Sequence, residues 1–148
     1  MPKNSMRVYF DASVIISALL SSTGGSRELI NLVNRDVIRG ITSQTVIEEI
    51  LEEDKPTKLG KAREDIKEFI FKSGLVVRKN VTIQEIEPYQ DLIDVEDAHL
   101  IAGAKLTRCD YLVTLDKKHI LRADVKKKFM PLQIVSPKEL LEEIVRTN

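Results

Sequence analysis

Arg7-Val-Tyr-Phe-Asp-Ala-Ser-Val-Ile-Ile-Ser-Ala-Leu-Leu20 is the stretch on which the fold turns. Val8, Tyr9 and Phe10 are residue types that favour a pleated, buried strand. Asp11 follows at once. Residues 12–20 are apolar and small, which suits a buried turn and the start of a helix. A strand that ends in an acid and runs straight into a helix is the opening of an α/β unit.

The same alternation continues downstream. Ser21-Ser-Thr-Gly-Gly25 reads as a loop. Ser26 is placed to cap a helix whose inner face carries Leu29, Ile30, Leu32 and Val33. A second strand is expected over 37–41. Thr42 or Ser43 then caps a helix with Val46, Ile47, Ile50 and Leu51 at helical spacing. Pro56 and Gly60 mark a break. An amphipathic helix over 61–72 is striped by Ala62, Ile66, Phe69 and Ile70. Gly74 ends it before a short strand at 75–77. A helix over 96–106, a strand over 111–114, a short helix within 117–128 and a strand over 132–135 follow. Ser136-Pro137 opens the last helix. Strands separated by helices need crossover connections and therefore a mostly parallel sheet. The expected architecture is a three-layer α/β/α sandwich, a single domain over 1–148 with its core at about 6–141.

Composition narrows the class of molecule. Apolar residues make up 43% of the 148 and charged residues 31%, values that suit a folded globular domain rather than a disordered chain. Cys109 is the single cysteine, so an intrachain disulfide is excluded and a reduced thiol in the cytoplasm is expected. No apolar run approaches the roughly 20 residues of a membrane span. Residues 1–6 lack the apolar core of a signal peptide, and Met6 is an alternative start. The 23 basic and 23 acidic residues balance. Net charge thus argues neither for nor against a nucleic-acid partner, because a cluster of metal-binding carboxylates would mask basic residues elsewhere.

The acids are distributed tellingly. In open α/β sheets, ligands bind outside the carboxyl ends of the strands. Asp11 directly follows the first strand, and Asp116 lies two residues beyond Tyr111-Leu-Val-Thr114. Asp94-Val-Glu-Asp97 opens a helix, with Asp94 expected at the N-cap and Asp97 at the third helical position, much as in a capping box. In Glu48-Glu-Ile-Leu-Glu-Glu-Asp54 a solvated face is the ordinary meaning. Glu49 nonetheless borders the apolar stripe, with Glu48 as its competitor. Each acid taken alone is explained by a turn or a cap. Carboxylates converging on one sheet edge, however, need a counter-charge, and a hard divalent cation such as Mg²⁺ or Mn²⁺ supplies it. Zinc is disfavoured, since two histidines and one cysteine make no zinc set. A carboxylate-held Mg²⁺ suits phosphodiester hydrolysis.

These segments, in this order, resemble the PIN-domain family. Phe10-Asp-Ala-Ser-Val-Ile-Ile-Ser-Ala-Leu-Leu20 is similar to its first motif and Ser43-Gln-Thr-Val-Ile-Glu-Glu-Ile-Leu51 to its second. Asp94-Val-Glu-Asp-Ala-His-Leu-Ile-Ala-Gly-Ala104 is similar to the third, and Cys109-Asp-Tyr-Leu-Val-Thr-Leu-Asp-Lys117 to the fourth. The closest likeness is to the VapC-like toxins of prokaryotic toxin–antitoxin pairs. The resemblance implies a metal-dependent endoribonuclease with Asp11, Glu49, Asp97 and Asp116 as catalytic metal ligands. It also implies a homodimer, an antitoxin partner and a cytoplasmic setting, and in-line attack by a metal-bound hydroxide is expected to leave a 5′-phosphate and a 3′-hydroxyl. Ser13 departs from the Asn often found there, although a hydroxyl still supports Asp11 or a bound water. Thr114 and Asp94 are the other expected supports. Lys117, Lys118 and Arg122, followed by Lys126, Lys127 and Lys128, are placed to grip an RNA backbone. His119 is expected at the surface and His99 in local packing. The rival reading is a PIN-like module that binds RNA or protein without cutting. A phosphatase of the Asp-x-Asp type is disfavoured, because Asp11-Ala-Ser13 lacks the second acid.

Overall fold

The computed structural model describes residues 5–147. The readings that touch residues 1–4 and 148 lie outside it. Strand β1 (Arg7–Phe10) leads into α1 (Ala12–Leu20) and α2 (Gly25–Asn34). Next come β2 (Arg39–Ser43), α3 (Gln44–Leu51), α4 (Lys55–Lys58), α5 (Arg63–Ser73) and β3 (Val76–Arg78). Helix α6 (Ile83–Ile86) and a 3-10 turn (Glu87–Tyr89) precede α7 (Ala98–Leu106). The chain ends with β4 (Tyr111–Val113), α8 (Ala123–Lys128), β5 (Gln133–Val135) and α9 (Pro137–Thr147).

The strands form one sheet in the order β3-β2-β1-β4-β5, with every pairing parallel. Central position explains the composition of β1. Val8, Tyr9 and Phe10 are wholly buried, as a strand covered on both faces requires. On one side α7 lies across β1, β2 and β4 and is braced by α6 and the 3-10 turn. The other helical layer is built from α1, which packs on α2, α3 and α5, while α2 also meets α9. Leu29, Ile50, Ile66, Ile101, Leu112 and Leu140 fill the space between layers. Each such side chain contributes roughly 1.5–3 kcal/mol by leaving water.

Several local expectations need correcting. Ser26 does not cap α2; Gly24 does, and Ser26 is buried one residue inside the helix. The second strand starts at Arg39 rather than at 37. Asp36 has a φ of 61° and the amide of Val37 bonds back to Leu32, so these residues finish α2. The helix expected from 96 begins at Ala98, with Asp97 itself as the N-cap residue and no side-chain cap bond. The carbonyl of Asp94 accepts from the amides of Asp97 and Ala98, a tight turn in place of the expected capping box. A capping box does occur between Thr82 and Glu85, opening α6 in a region where periodicity showed no element. Four residues are too few for a period to register. Ser43 was one of two candidate caps, and its hydroxyl accepts from the amide of Val46 at 3.2 Å.

The strand order fixes where a crevice opens. From β1 the chain runs outward through β2 to β3, then returns to the opposite side of β1 to form β4 and β5. The direction of winding reverses between β1 and β4. In such sheets the diverging connections leave a ligand crevice at that point, beyond the carboxyl ends of the strands.

Candidate carboxylate site at the β1–β4 switch point

Asp11 is the first residue past β1, and its amide still bonds to the Val113 carbonyl of β4 at 3.2 Å. It stands at the N-cap of α1, yet its side chain makes no cap bond. Its Oδ2 instead accepts from the Thr114 hydroxyl at 2.7 Å and the Ser13 hydroxyl at 3.0 Å. Both hydroxyls are themselves oriented. Thr114 Oγ1 accepts from the amide of Asp116 and Ser13 Oγ from the amide of Leu115, each at 3.1 Å. With a lone pair engaged by an amide, each hydroxyl turns its one proton toward Asp11. Ser13 therefore supports Asp11 directly. Burial pushes the Asp11 carboxyl up; the Thr114, Ser13 and Ala12 hydrogen bonds oppose that, and the charge of Glu49 adds to it.

Asp97 reaches the same edge from α7, because that helix precedes β4 and so begins above the strands' carboxyl ends. Burial, reinforced by the charges of Asp116, Asp11 and Asp94, pushes its carboxyl up to about 6, while His119 acts in the opposite direction. Asp116 serves two ends at once. Its Oδ1 accepts from the amides of Lys118 (3.1 Å) and His119 (2.9 Å), which is the turn role open to any aspartate. Its Oδ2 lies 3.4 Å from His119 Nδ1, and its charge acts on Asp97.

Glu49 comes from the second turn of α3. Glu48, Glu52 and Glu53 are exposed, whereas Glu49 is half-buried with Oε1 3.3 Å from Nε2 of His99. Local packing is what the sequence suggests for His99, and this contact with Glu49 is not legible there, since nothing in the local pattern links α3 to α7. The four acids come from four separate segments and influence one another in a chain. Glu49 acts on Asp11, and Asp11 and Asp116 act on Asp97.

Among the described residues no three acidic, histidine or cysteine side chains converge into a ready-made metal cage. The oxygen-only donor set still fits Mg²⁺ or Mn²⁺. Mg²⁺ keeps several waters and is held through one or two carboxylates rather than by an all-protein cage. The negative charge that Asp116, Asp11 and Asp94 bring to Asp97 is what such a cation would neutralise.

Past Asp116, Lys117 and Lys118 are exposed. The other cations of that stretch are more engaged. Arg122 Nε and Nη2 each lie 3.1 Å from Asp124, Lys126 pairs with Glu139 at 3.1 Å, and Lys128 donates to the Leu92 carbonyl at 2.8 Å. Among the described residues no helix is long and apolar enough to cross a membrane.

Solved structures share this architecture. PAE2754 from Pyrobaculum aerophilum is 14% identical, with a TM-score of 0.58 over 95% of this chain and 96% of its own. VapBC2 from Rickettsia felis, solved bound to a DNA fragment from its promoter, is 15% identical, with a TM-score of 0.58 over 88% of this chain and 98% of its own. At these identities the likeness establishes the fold alone. No curated protein sequence matches the chain. The decisive comparison is with a family model, that of the PIN domain, which matches residues 7–118 and so takes in the segments that carry Asp11, Glu49, Asp97 and Asp116. With the parallel sheet, the acids at its switch point and a family match over most of its length, the chain belongs to the PIN-domain family.

Proposed function

We propose that this protein is a divalent-metal-dependent endoribonuclease, the toxin of a toxin–antitoxin pair. The observation that carries the reading is the gathering of Asp11, Asp97 and Asp116 at the β1–β4 crevice, where burial first, and then the charges of Asp116, Asp11 and Asp94, push the Asp97 carboxyl up to about 6. Nuclease chemistry gives that gathering of acids a purpose. Asp11, Glu49, Asp97 and Asp116 would hold Mg²⁺ or Mn²⁺, which when bound supplies an activated water and charge neutralisation for phosphodiester hydrolysis.

The chain's own groups have separable roles. The Ser13 and Thr114 hydroxyls hold Oδ2 of Asp11 from one side, so that this carboxylate keeps one orientation. Asp97 makes no cap bond and stays available to a ligand. Asp94 lends negative charge behind it. Lys117 and Lys118 would take the phosphates flanking the cut, and Arg122 a more distant one. An antitoxin partner, a homodimer and a cytoplasmic setting belong to the same proposal, and the VapBC2 neighbour is in keeping with the first of them.

The open spacing of the acids favours one alternative, a PIN-like module that binds RNA or protein without cutting. A single experiment separates the two. A mixed pool of labelled single-stranded and structured RNAs is incubated with Mg²⁺, Mn²⁺ or EDTA, beside Asp11→Asn and Asp97→Asn. Metal-dependent cleavage, lost by at least a hundredfold in both variants, is the expected result. Metal binding by calorimetry with no cleavage of any RNA would select the non-cutting module, and undiminished cleavage by Asp97→Asn would end the proposed ligand arrangement.

A further inference from the structure

His99 lies two residues beyond Asp97 on α7 and is 7% exposed. Its Nε2 is 3.3 Å from Oε1 of Glu49, and its Nδ1 is buried with no hydrogen-bond partner. These two facts distinguish the two ring nitrogens. A proton on Nδ1 would be a buried donor without an acceptor, a costly arrangement. A proton on Nε2 points toward a carboxylate. Nε2 is therefore the nitrogen placed to donate, and Glu49 is what it meets.

The ring is also firmly seated. Gly103, one turn further along α7, lets that helix lie directly against Tyr9 of β1. The close approach buries the face of α7 that carries His99. Glu49 is different in kind, a long side chain 37% exposed.

We infer that His99 is a positioning residue: its Nε2–H holds the Glu49 carboxylate against the helix that carries Asp97, on the Asp11 side of the crevice instead of in solvent. The inference rests on the reading of Glu49 as a metal ligand given above. It deepens that reading by adding a residue that touches neither metal nor RNA. Partners that orient a ligand in this way typically change metal affinity or activity by 10- to 100-fold when removed.

The test uses the full-length protein and Mn²⁺ alone, titrated without RNA and followed by the electron paramagnetic resonance signal of free Mn²⁺. His99→Ala should weaken Mn²⁺ binding by about tenfold or more. His99→Gln, whose amide N–H reaches a similar point, should recover most of that loss. In a Glu49→Gln background, His99→Ala should add little further loss, because the two residues act as one unit. Wild-type Mn²⁺ affinity in folded His99→Ala, or additive losses in the double variant, would overturn the inference. A second readout does not depend on whether His99→Ala folds. Long-range ¹H–¹⁵N spectra of the wild type should show the Nε2–H tautomer, with its resonance displaced in Glu49→Gln. An Nδ1–H tautomer, or a resonance indifferent to Glu49, would equally overturn it. Should wild-type protein bind no Mn²⁺ while the ring shows Nε2–H coupled to Glu49, the metal reading fails and the contact stands as structural.

Discussion

Thr114 donates to one oxygen of Asp11 and accepts from the amide of Asp116, so one hydroxyl joins the ends of β1 and β4 to a single carboxylate. Ser13 repeats the arrangement through Leu115. The departure from Asn at position 13 therefore preserves a donor to Asp11. Among the described residues no such hydroxyl reaches Asp97, and burial first, then the charges of Asp116, Asp11 and Asp94, push its carboxyl up. That difference has a pH signature. Folded Asp97 binds its proton up to about pH 6, against 3.8 as the ordinary value. Between those values the folded state holds more protons than the unfolded one, so stability falls as pH rises through the window and levels off above it. Melting curves of metal-free protein between pH 4 and 7 should show that fall, and Asp97→Asn should flatten much of it. A melting temperature that climbs over the same range in wild type would contradict the assigned environment.

Among the elements, α7 carries the most consequence, since it brings Asp97 and His99 to the site and seals one face of the sheet. Its seat depends on Gly103. A Cβ there would come within 2.3 Å of the Tyr9 hydroxyl and 2.6 Å of the adjoining ring carbon, and Tyr9 is fully buried in the central strand. In an exposed helix, Gly→Ala would gain about 1 kcal/mol in propensity. Overpacking a core costs typically 1–3 kcal/mol, and neither partner here has room to yield. Gly103→Ala should lower stability to urea by about 1 kcal/mol or more on balance. Tyr9→Phe should restore part of the loss by removing the nearer atom. Stabilisation by Gly103→Ala would show that α7 sits farther from Tyr9 than these distances require. The same element displays the limit of local reading. The pattern from Asp94 to Ala104 marks a helix and its acidic opening, but not that Asp94 closes a turn while Asp97 takes the N-cap position without capping. That choice depends on where the helix docks on β1, β2 and β4.

For the whole molecule, a net charge of zero conceals a segregated surface: acids gather at the switch point, with exposed Lys117 and Lys118 just beyond. Under the proposed function, those lysines meet the RNA backbone. Lys117→Ala with Lys118→Ala should raise KM several-fold and reduce the salt slope of RNA binding by up to about 2, at roughly one unit per phosphate contact. Arg122→Ala should do less, because that guanidinium already lies against Asp124. An equal or larger effect from Arg122→Ala would relocate the RNA path toward α8.

The amino-acid sequence by itself determined the alternation of strands and helices, the α/β class and the order of acids along the chain. These follow from short-range causes: β-branched and aromatic runs, helical spacing, and Gly and Pro as breakers. Ser43 as a cap was legible for the same reason, since its partner lies three residues away. Tertiary structure alone decided that β1 lies between β2 and β4, that Thr114 and Ser13 converge on Asp11, that Glu49 rather than Glu48 turns inward, and that His99 meets it. Periodicity tells which face of an element will be buried, but not which other element will bury it. Residues as far apart as 11 and 114, or 49 and 99, become neighbours only once the sheet has taken its order and its helices have packed on it.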